Sequence, residues 1–296
     1  MKKVLITGAN SYIGKSFEQY AMEKYSTEFV IDTIDMVDGT WREKDFSRYD
    51  IVFHVAGIAH ADIGNVSNEI KEKYYAVNTE LAIETAKKAK NDGIKQFVFM
   101  SSAIVYGDSA PYGKTKKITK DTKPSPSNFY GDSKLQADVR LRELATESFN
   151  VTVLRSPMIY GVGSKGNYPM LSKMARKLPF FPDVHNERSA LYIENLCEFL
   201  CQIMIRNEGG LFWPQNSTYM KTSDVVRLIA DINGKRIIVS KVFNWVVVLL
   251  SLFPGKIGRL VNKGFGNLTY DPELSQYDFE YQLVDLETSI RRTESR

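Results

Sequence analysis

This chain is poor in the residues that build metal centres and disulfide frameworks: its 296 residues include two cysteines and three histidines. Cys197 and Cys201 stand four apart in a helical pattern. That spacing gives neighbouring core thiols and argues against a disulfide or a zinc site. No metal is expected, and a reducing, cytoplasmic setting is. Long apolar runs are also missing. The most apolar stretch, Trp245 to Phe253 closed by Pro254, is too short to span a bilayer. It reads as a core or lobe helix, or as a helix lying on a membrane surface. The start Met1-Lys2-Lys3-Val4 runs directly into a strand pattern, so no secretory leader is expected. Neither charge sign dominates: 39 Lys and Arg stand against 35 Asp and Glu, a net +4 too mild to imply nucleic acid. The densest basic run, Lys114, Lys116, Lys117, Lys120 and Lys123, is either a solvated loop or a lip that attracts an anionic substrate. Repeats and low-complexity segments are lacking.

The chain has an ordinary soluble composition, 43% hydrophobic and 25% charged. Its length allows a main domain and a smaller lobe. Strand-like runs at Val4–Thr7, Phe29–Asp35, Ile51–Ala56, Gln96–Ser101 and Val151–Ser156 alternate with helical patterns. The helices are expected at 13–24, 68–90, 128–147, 168–177, 191–206 and 223–232. Such alternation predicts an α/β fold with a doubly wound parallel sheet. Residues 37–50 are too few for a full crossover helix, so that connection should be abbreviated. The main domain is expected over 1–160 and the smaller lobe over 161–296, with 191–214 returning to the main domain.

Between the first strand and helix stands Thr7-Gly8-Ala9-Asn10-Ser11-Tyr12-Ile13-Gly14. Gly8 allows a tight turn, Gly14 allows close helix–strand packing, and the helix N-terminus offers N–H groups to a pyrophosphate. The middle glycine of the usual fingerprint is Ser11 here, still small enough to leave room for phosphate. An acid ending the second strand would hold ribose hydroxyls. Asp32 and Asp35 both fit the expected spacing, with Asp35 preferred because Ile34 prolongs the strand. An acid there repels a 2′-phosphate, which favours NAD over NADP. Val55, Ala56 and Gly57 close the third strand with small residues that let a dinucleotide lie across the sheet edge. His54 reads as a buried neutral histidine, His60 as a side chain that could face substrate, and His185 as a surface residue.

Tyr130 and Lys134 lie four apart, on one helix face. The Lys ammonium can lower the phenol's pKa and hold a cofactor ribose. The phenol can then exchange a proton with a substrate hydroxyl while a hydride leaves the same carbon. Upstream, Ser101 and Ser102 follow the apolar run Phe97-Val98-Phe99-Met100.

With Thr-Gly-x-x-x-x-Ile-Gly, Val-Ala-Gly, Ser-Ser-Ala-x-Val-Tyr-Gly and Tyr-x-x-x-Lys in this order, the chain resembles the extended short-chain dehydrogenase/reductases. It looks most like their nucleotide-sugar epimerase/dehydratase branch, the UDP-glucose 4-epimerases in particular. The resemblance covers roughly residues 1–200. It implies a Rossmann domain with tightly bound NAD(P), a C-terminal lobe for a nucleoside-diphosphate sugar, and a homodimer paired through the helices at 68–90 and 128–147. It makes Ser102, Tyr130 and Lys134 the catalytic trio. Gly8, Asn10, Ser11, Tyr12, Ile13, Asn78, Ser101, Pro157 and Met158 are implied at the cofactor. In the lobe, Asn167 matches the asparagine turn that contacts the sugar diphosphate, and Arg188 the phosphate-clamping arginine. Phe180 or Phe181 would flank a uracil ring, and Ala103 would touch the sugar beside Ser102.

The residues after Ser102 discriminate among reactions. Dehydratases of this branch need an acid/base pair there, and Ala103 and Ile104 cannot move a proton. The pattern Ser-Ala-x-Val-Tyr-Gly resembles the 4-epimerases. The segment Phe265-Gly266-Asn267-Leu268-Thr269-Tyr270-Asp271 resembles one in reductases of 4-keto-6-deoxy sugar nucleotides. The expectation is a UDP-hexose 4-epimerase, with such a reductase as the alternative and a non-catalytic dinucleotide sensor as a third reading.

Overall fold

The computed structural model describes residues 1–59, 66–253 and 255–295, so His60 and Pro254 lie outside the described residues. The N-terminal half alternates β1 (Lys2–Thr7), α1 (Tyr12–Lys24), β2 (Phe29–Ile34), β3 (Ile51–His54), α2 (Asn68–Tyr75), α3 (Leu81–Asn91) and β4 (Gln96–Ser102). Then follow β5 (Lys117–Ile118), α4 (Phe129–Arg142), β6 (Asn150–Ser156), β7 (Met158–Tyr160), α5 (Asn167–Lys177), β8 (Phe180–Pro182) and β9 (Ala190–Tyr192). The chain ends with α6 (Ile193–Arg206), β10 (Gly210–Phe212), α7 (Thr222–Ile232), β11 (Ile238–Ser240), α8 (Asn244–Ser251), α9 (Lys256–Phe265), β12 (Thr269–Tyr270) and α10 (Leu286–Glu294).

Six strands form one parallel sheet in the order β10-β6-β4-β3-β1-β2. Its inner strands are mainly apolar at their centres because helices cover both faces. Val4, Ile6, Phe53, Val98 and Leu154 turn to one face, towards α1 and α6. Leu5, Val52, Phe97, Phe99 and Val153 turn to the other, towards α3 and α4. Successive strand residues alternate faces, so each apolar run supplies both cores. The chain reverses direction of winding at β1, whose carboxyl end lies between β2 and β3; a doubly wound sheet binds ligands at such a switch point. As residues 37–50 require, a single 3₁₀ turn (Thr40–Arg42) makes the β2–β3 crossover, with Trp41 buried beneath it.

Three expectations change in detail. The helix expected over 68–90 is helical throughout, but α2 and α3 are joined by a π-helical turn, Ala76–Glu80. The helix expected from 191 begins at Ile193, because Ala190–Tyr192 instead pairs with β7, which leaves the main sheet after Pro157. The basic run from Lys114 to Lys123, one reading of which is a solvated loop, contains β5, which pairs with β12. Cys197 and Cys201 are free thiols buried on α6. Both belong to the core between α1 and the sheet.

Candidate active site

The β1–α1 turn is shaped by Gly8 and Ser11. Gly8 has φ 92°, and its N–H donates to Ile34 O at 2.9 Å, which ties the turn to the end of β2. A Cβ at Gly8 would stand 2.9 Å from Ala56 N, so only glycine lets this turn close on the end of β3. Ser11 caps α1, its Oγ accepting from Gly14 N at 3.0 Å. The remaining N–H groups of the first turn are the ones an anion can use. Asn10 is exposed, and Tyr12 and Ile13 are half-buried. Both acids are exposed: Asp32 accepts from Tyr49 OH at 2.7 Å, and Asp35, just past β2, accepts from Val37 N at 2.8 Å.

Beyond β3, Val55 N donates to Thr7 O at 3.2 Å and Gly57 opens a gap beside two polar groups. A Cβ there would meet Asn78 Oδ1 at 3.1 Å and Lys134 Nζ at 3.3 Å. Asn78 is fully buried in the π-helical turn. It binds both backbone groups of Ile58 (2.8 and 3.1 Å) and donates to Ser133 Oγ at 3.2 Å. The widened turn thus carries a side chain inward from a helix that otherwise packs on its apolar face, the setting in which π-bulges recur at functional sites. His54 is buried and neutral: its Nδ1 meets Thr7 Oγ1 at 2.8 Å. Burial, then the charge of Lys134, pulls its pKa down to about 3. His185 is exposed.

Asn128 caps α4, accepting from Gly131 N at 2.9 Å, and the helix then places Tyr130 and Lys134 one turn apart. Ser102 ends β4, where its Oγ accepts from Ile104 N at 3.3 Å and lies near enough to the Tyr130 hydroxyl to draw its pKa down. Ala103 is buried beside it. Lys134 is 7% exposed and donates to Met100 O at 3.0 Å, with its Nζ 4.8 Å from the Phe99 ring centroid. Among the described residues no carboxylate pairs with it, and burial alone lowers its pKa to about 8.

Tyr130 differs from expectation. Burial raises its pKa to about 12, Ser102 pulls the other way, and Tyr74, whose ring meets it edge-on at 5.9 Å, adds to the rise. The expected lowering by Lys134 is not what sets this phenol, because the ammonium is turned to Met100 O. Ser101 is also turned away: its hydroxyl donates to buried Asp138 at 3.1 Å. Pro157 is buried at the end of β6, and Met158 leads into β7.

Met158, Asn167 and Arg188 line one cavity. Asn167 is the first residue of α5. The Arg188 backbone bridges Met220 and Leu268, and its guanidinium donates to Ser109 Oγ and Gly266 O, each at 3.2 Å. No described carboxylate reaches it, and burial lowers its pKa to about 10. Phe180 does not line this cavity. It is 50% exposed on β8 with its ring on Phe243, while Phe181 is buried against Phe265. Sequence reasoning missed Met170, Leu171, Met220, Thr222, Lys263 and Gly264, which complete the lining. Only the packing of α7 and α9 on this lobe brings them there, and no spacing signals it.

These groups fit a dinucleotide and a phosphorylated ligand. Glycine at 8 and 57 spares the backbone a Cβ that would crowd Ala56, Asn78 and Lys134, a helix N-terminus and a strand-end acid stand nearby, and two cations, Lys134 and Arg188, have no acidic partner among the described residues. No group of three or more metal-ligating residues occurs among the described residues.

The model of the NAD dependent epimerase/dehydratase family matches residues 4–211. UDP-glucose 4-epimerase of Vibrio cholerae is 28% identical over 250 residues, 77% of this chain and 75% of that protein. Among solved structures, UDP-glucuronic acid 4-epimerase from Bacillus cereus in complex with NAD aligns with TM-score 0.72 at 16% identity, covering 99% of this chain and 97% of that one. The dTDP-4-dehydrorhamnose reductase from Bacillus anthracis in complex with NADP aligns at 0.64 and 19% identity, covering 81% and 83%.

Proposed function

We propose that this chain, which belongs to the NAD dependent epimerase/dehydratase family, is a UDP-hexose 4-epimerase acting on the glucose/galactose pair or its N-acetyl form. The observation that carries the reading is Tyr130 and Lys134 one turn apart on α4, with Lys134 unpaired by any described carboxylate and Ser102 at the end of β4 followed by Ala103 and Ile104. Those two residues leave a dehydratase without its extra acid and base.

NAD, when bound, supplies a hydride acceptor and donor at one carbon. Gly8, Asn10, Ser11, Tyr12 and Ile13 would hold its pyrophosphate, and Asp35 the adenosine ribose, since Asp32 is engaged by Tyr49. Val55, Ala56 and Gly57 would line its path across the sheet. Asn78, Lys134, Pro157 and Met158 would surround the nicotinamide end. An acid at the ribose disfavours a 2′-phosphate, hence NAD. Ser102 orients the C4 oxygen and Tyr130 exchanges its proton. With its pKa at about 12, the Tyr130 phenol is protonated at neutral pH and stands ready to give a proton to a C4 ketone. Taking the proton from a C4 hydroxyl requires a cation to draw the phenol down, and Lys134 is the group placed to turn to it. Arg188 and Asn167 would hold the diphosphate.

A second reading, reduction of a UDP-4-keto-6-deoxyhexose, uses the same donor in one direction. The resemblance of residues 265–271 to such reductases favours it. The reading includes a homodimer through the outer faces of α2–α3 and α4, checked by light scattering. The direct test is incubation with UDP-glucose, UDP-galactose and their N-acetyl forms, without reductant. C4 epimers seen by NMR are the expected result; none from an NAD-loaded protein contradicts it. Tyr130→Phe should lower turnover about 1,000-fold while NAD stays bound. Unchanged behaviour of that variant would instead mark a sensor.

A further inference from the structure

The segment from β11 to α9 is unlike the rest of the surface. Val242, Trp245, Leu249, Leu252, Phe253 and Leu260 all stand exposed, Trp245 at 64% and Leu252 at 76%. Val247 is the buried anchor of α8, and α8 packs on α9. The hairpin is fixed to the body: Asn244 Nδ2 donates to Asp183 O at 2.9 Å, and Phe243 stacks on Phe180 with centroids 5.3 Å apart. Contiguous large apolar side chains at a surface mark an interaction site.

Charge says what kind. Residues 232–270 contain Lys235, Arg236, Lys241, Lys256, Arg259 and Lys263 and no Asp or Glu, a larger positive charge than the whole chain's net +4. Asp183, whose carbonyl meets α8, has its own carboxylate paired with Lys221 at 3.2 Å. A helical hairpin with exposed Trp, Leu and Phe, in a stretch of sequence that carries six basic residues and no acidic one, matches the apolar–anionic boundary of a lipid bilayer. No described helix is long and apolar enough to cross a membrane, so this face would lie on the surface. We propose that the α8–α9 hairpin docks the protein on an anionic membrane surface. The far end of α9 carries Lys263 and Gly264 into the cavity lined by Asn167 and Arg188, so docking would hold that cavity beside the bilayer.

The test is flotation of the full chain with vesicles of phosphatidylcholine alone, and of phosphatidylcholine with phosphatidylglycerol in equal parts. The expected result is binding to the anionic vesicles, weakened by salt, with a blue shift of tryptophan emission. Trp245→Asp with Leu252→Asp should lower partitioning roughly 100-fold. Lys241→Gln, Lys256→Gln and Arg259→Gln together should lower it about as much, with an unchanged circular dichroism melt. Binding to neither vesicle, or equal binding to both, overturns the proposal. So does self-association by light scattering that the Trp245→Asp/Leu252→Asp variant abolishes without any vesicle binding, because a second copy would then cover the face.

Discussion

Two arginines, one buried at the carboxyl edge of the sheet and one half-buried in the lobe, carry their charge in opposite ways. On β6, Arg155 is closed off: Nε and Nη2 donate to Asp138 at 2.8 and 3.1 Å, and Nη1 to Tyr106 OH at 2.7 Å. Burial pulls its pKa down, but Asp138 more than restores it, and the guanidinium ends above its ordinary value. In the lobe, Arg188 finds Ser109 Oγ and Gly266 O and no carboxylate among the described residues, and burial leaves its pKa lowered to about 10. Lys134 belongs with Arg188, since it donates to a backbone carbonyl and meets no described carboxylate. A buried cation with a carboxylate is satisfied within the fold. A buried cation without one raises the free energy of the ligand-free protein and gains most when an anion or an electron-rich group arrives.

Converting the first kind into the second should have the largest effect. Asp138→Ala leaves Arg155 buried and unpaired and should cost about 3–5 kcal/mol in urea unfolding. A cost below about 1 kcal/mol would mean that the pairing at β6 is not what the comparison takes it to be.

Lys134→Met should act in the opposite direction. The folded-state pKa of about 8 lies below the ordinary 10.5, so between these values the unfolded chain binds more protons. Stability contributed at this position therefore rises with pH from 8 to 10.5, and the penalty is fully present below 8. The ligand-free variant should be more stable than the parent at pH 7 by up to about 3 kcal/mol, and this difference should shrink towards pH 10.5. Urea melts of both proteins at several pH values measure it, and a constant difference would contradict it.

Arg188→Met should show the smallest effect on free energy and the sharpest split. Affinity for a UDP-sugar should fall roughly 10–100-fold, the loss of one or two charge-assisted hydrogen bonds. The unfolding midpoint should hold or rise, and NAD affinity should stay unchanged. A lowered midpoint with unchanged sugar-nucleotide affinity would move Arg188 to the structural class.

How much of this could be read from the chain follows from where each signal lies. The β1–α1 turn and the Asn128-capped helix are local patterns, carried by Gly8, Ser11 and residues within four positions of Tyr130. Apolar runs were enough for strands β1 to β4 and β6, because each run serves both sheet faces. The π-helical turn at Asn78 has no counterpart in composition or period. The choice between Asp32 and Asp35 turns on Tyr49, 17 residues from Asp32. The partners of Arg188 and the lining by Lys263 and Gly264 arise from contacts between residues some 75 positions apart. Tyr130's raised pKa comes from burial, with Ser102 opposing it and Tyr74 adding to it, and only the folded chain brings these together.

The most direct test of the central claim uses UDP-glucose and UDP-N-acetylglucosamine deuterated at C4, with the NAD-loaded protein and no added reductant. The account predicts the C4 epimer of one of them with deuterium still on C4, because the hydrogen leaves and returns at one carbon while Tyr130 moves only the hydroxyl proton. An epimer that has lost its deuterium, or no epimer from either substrate, would contradict it.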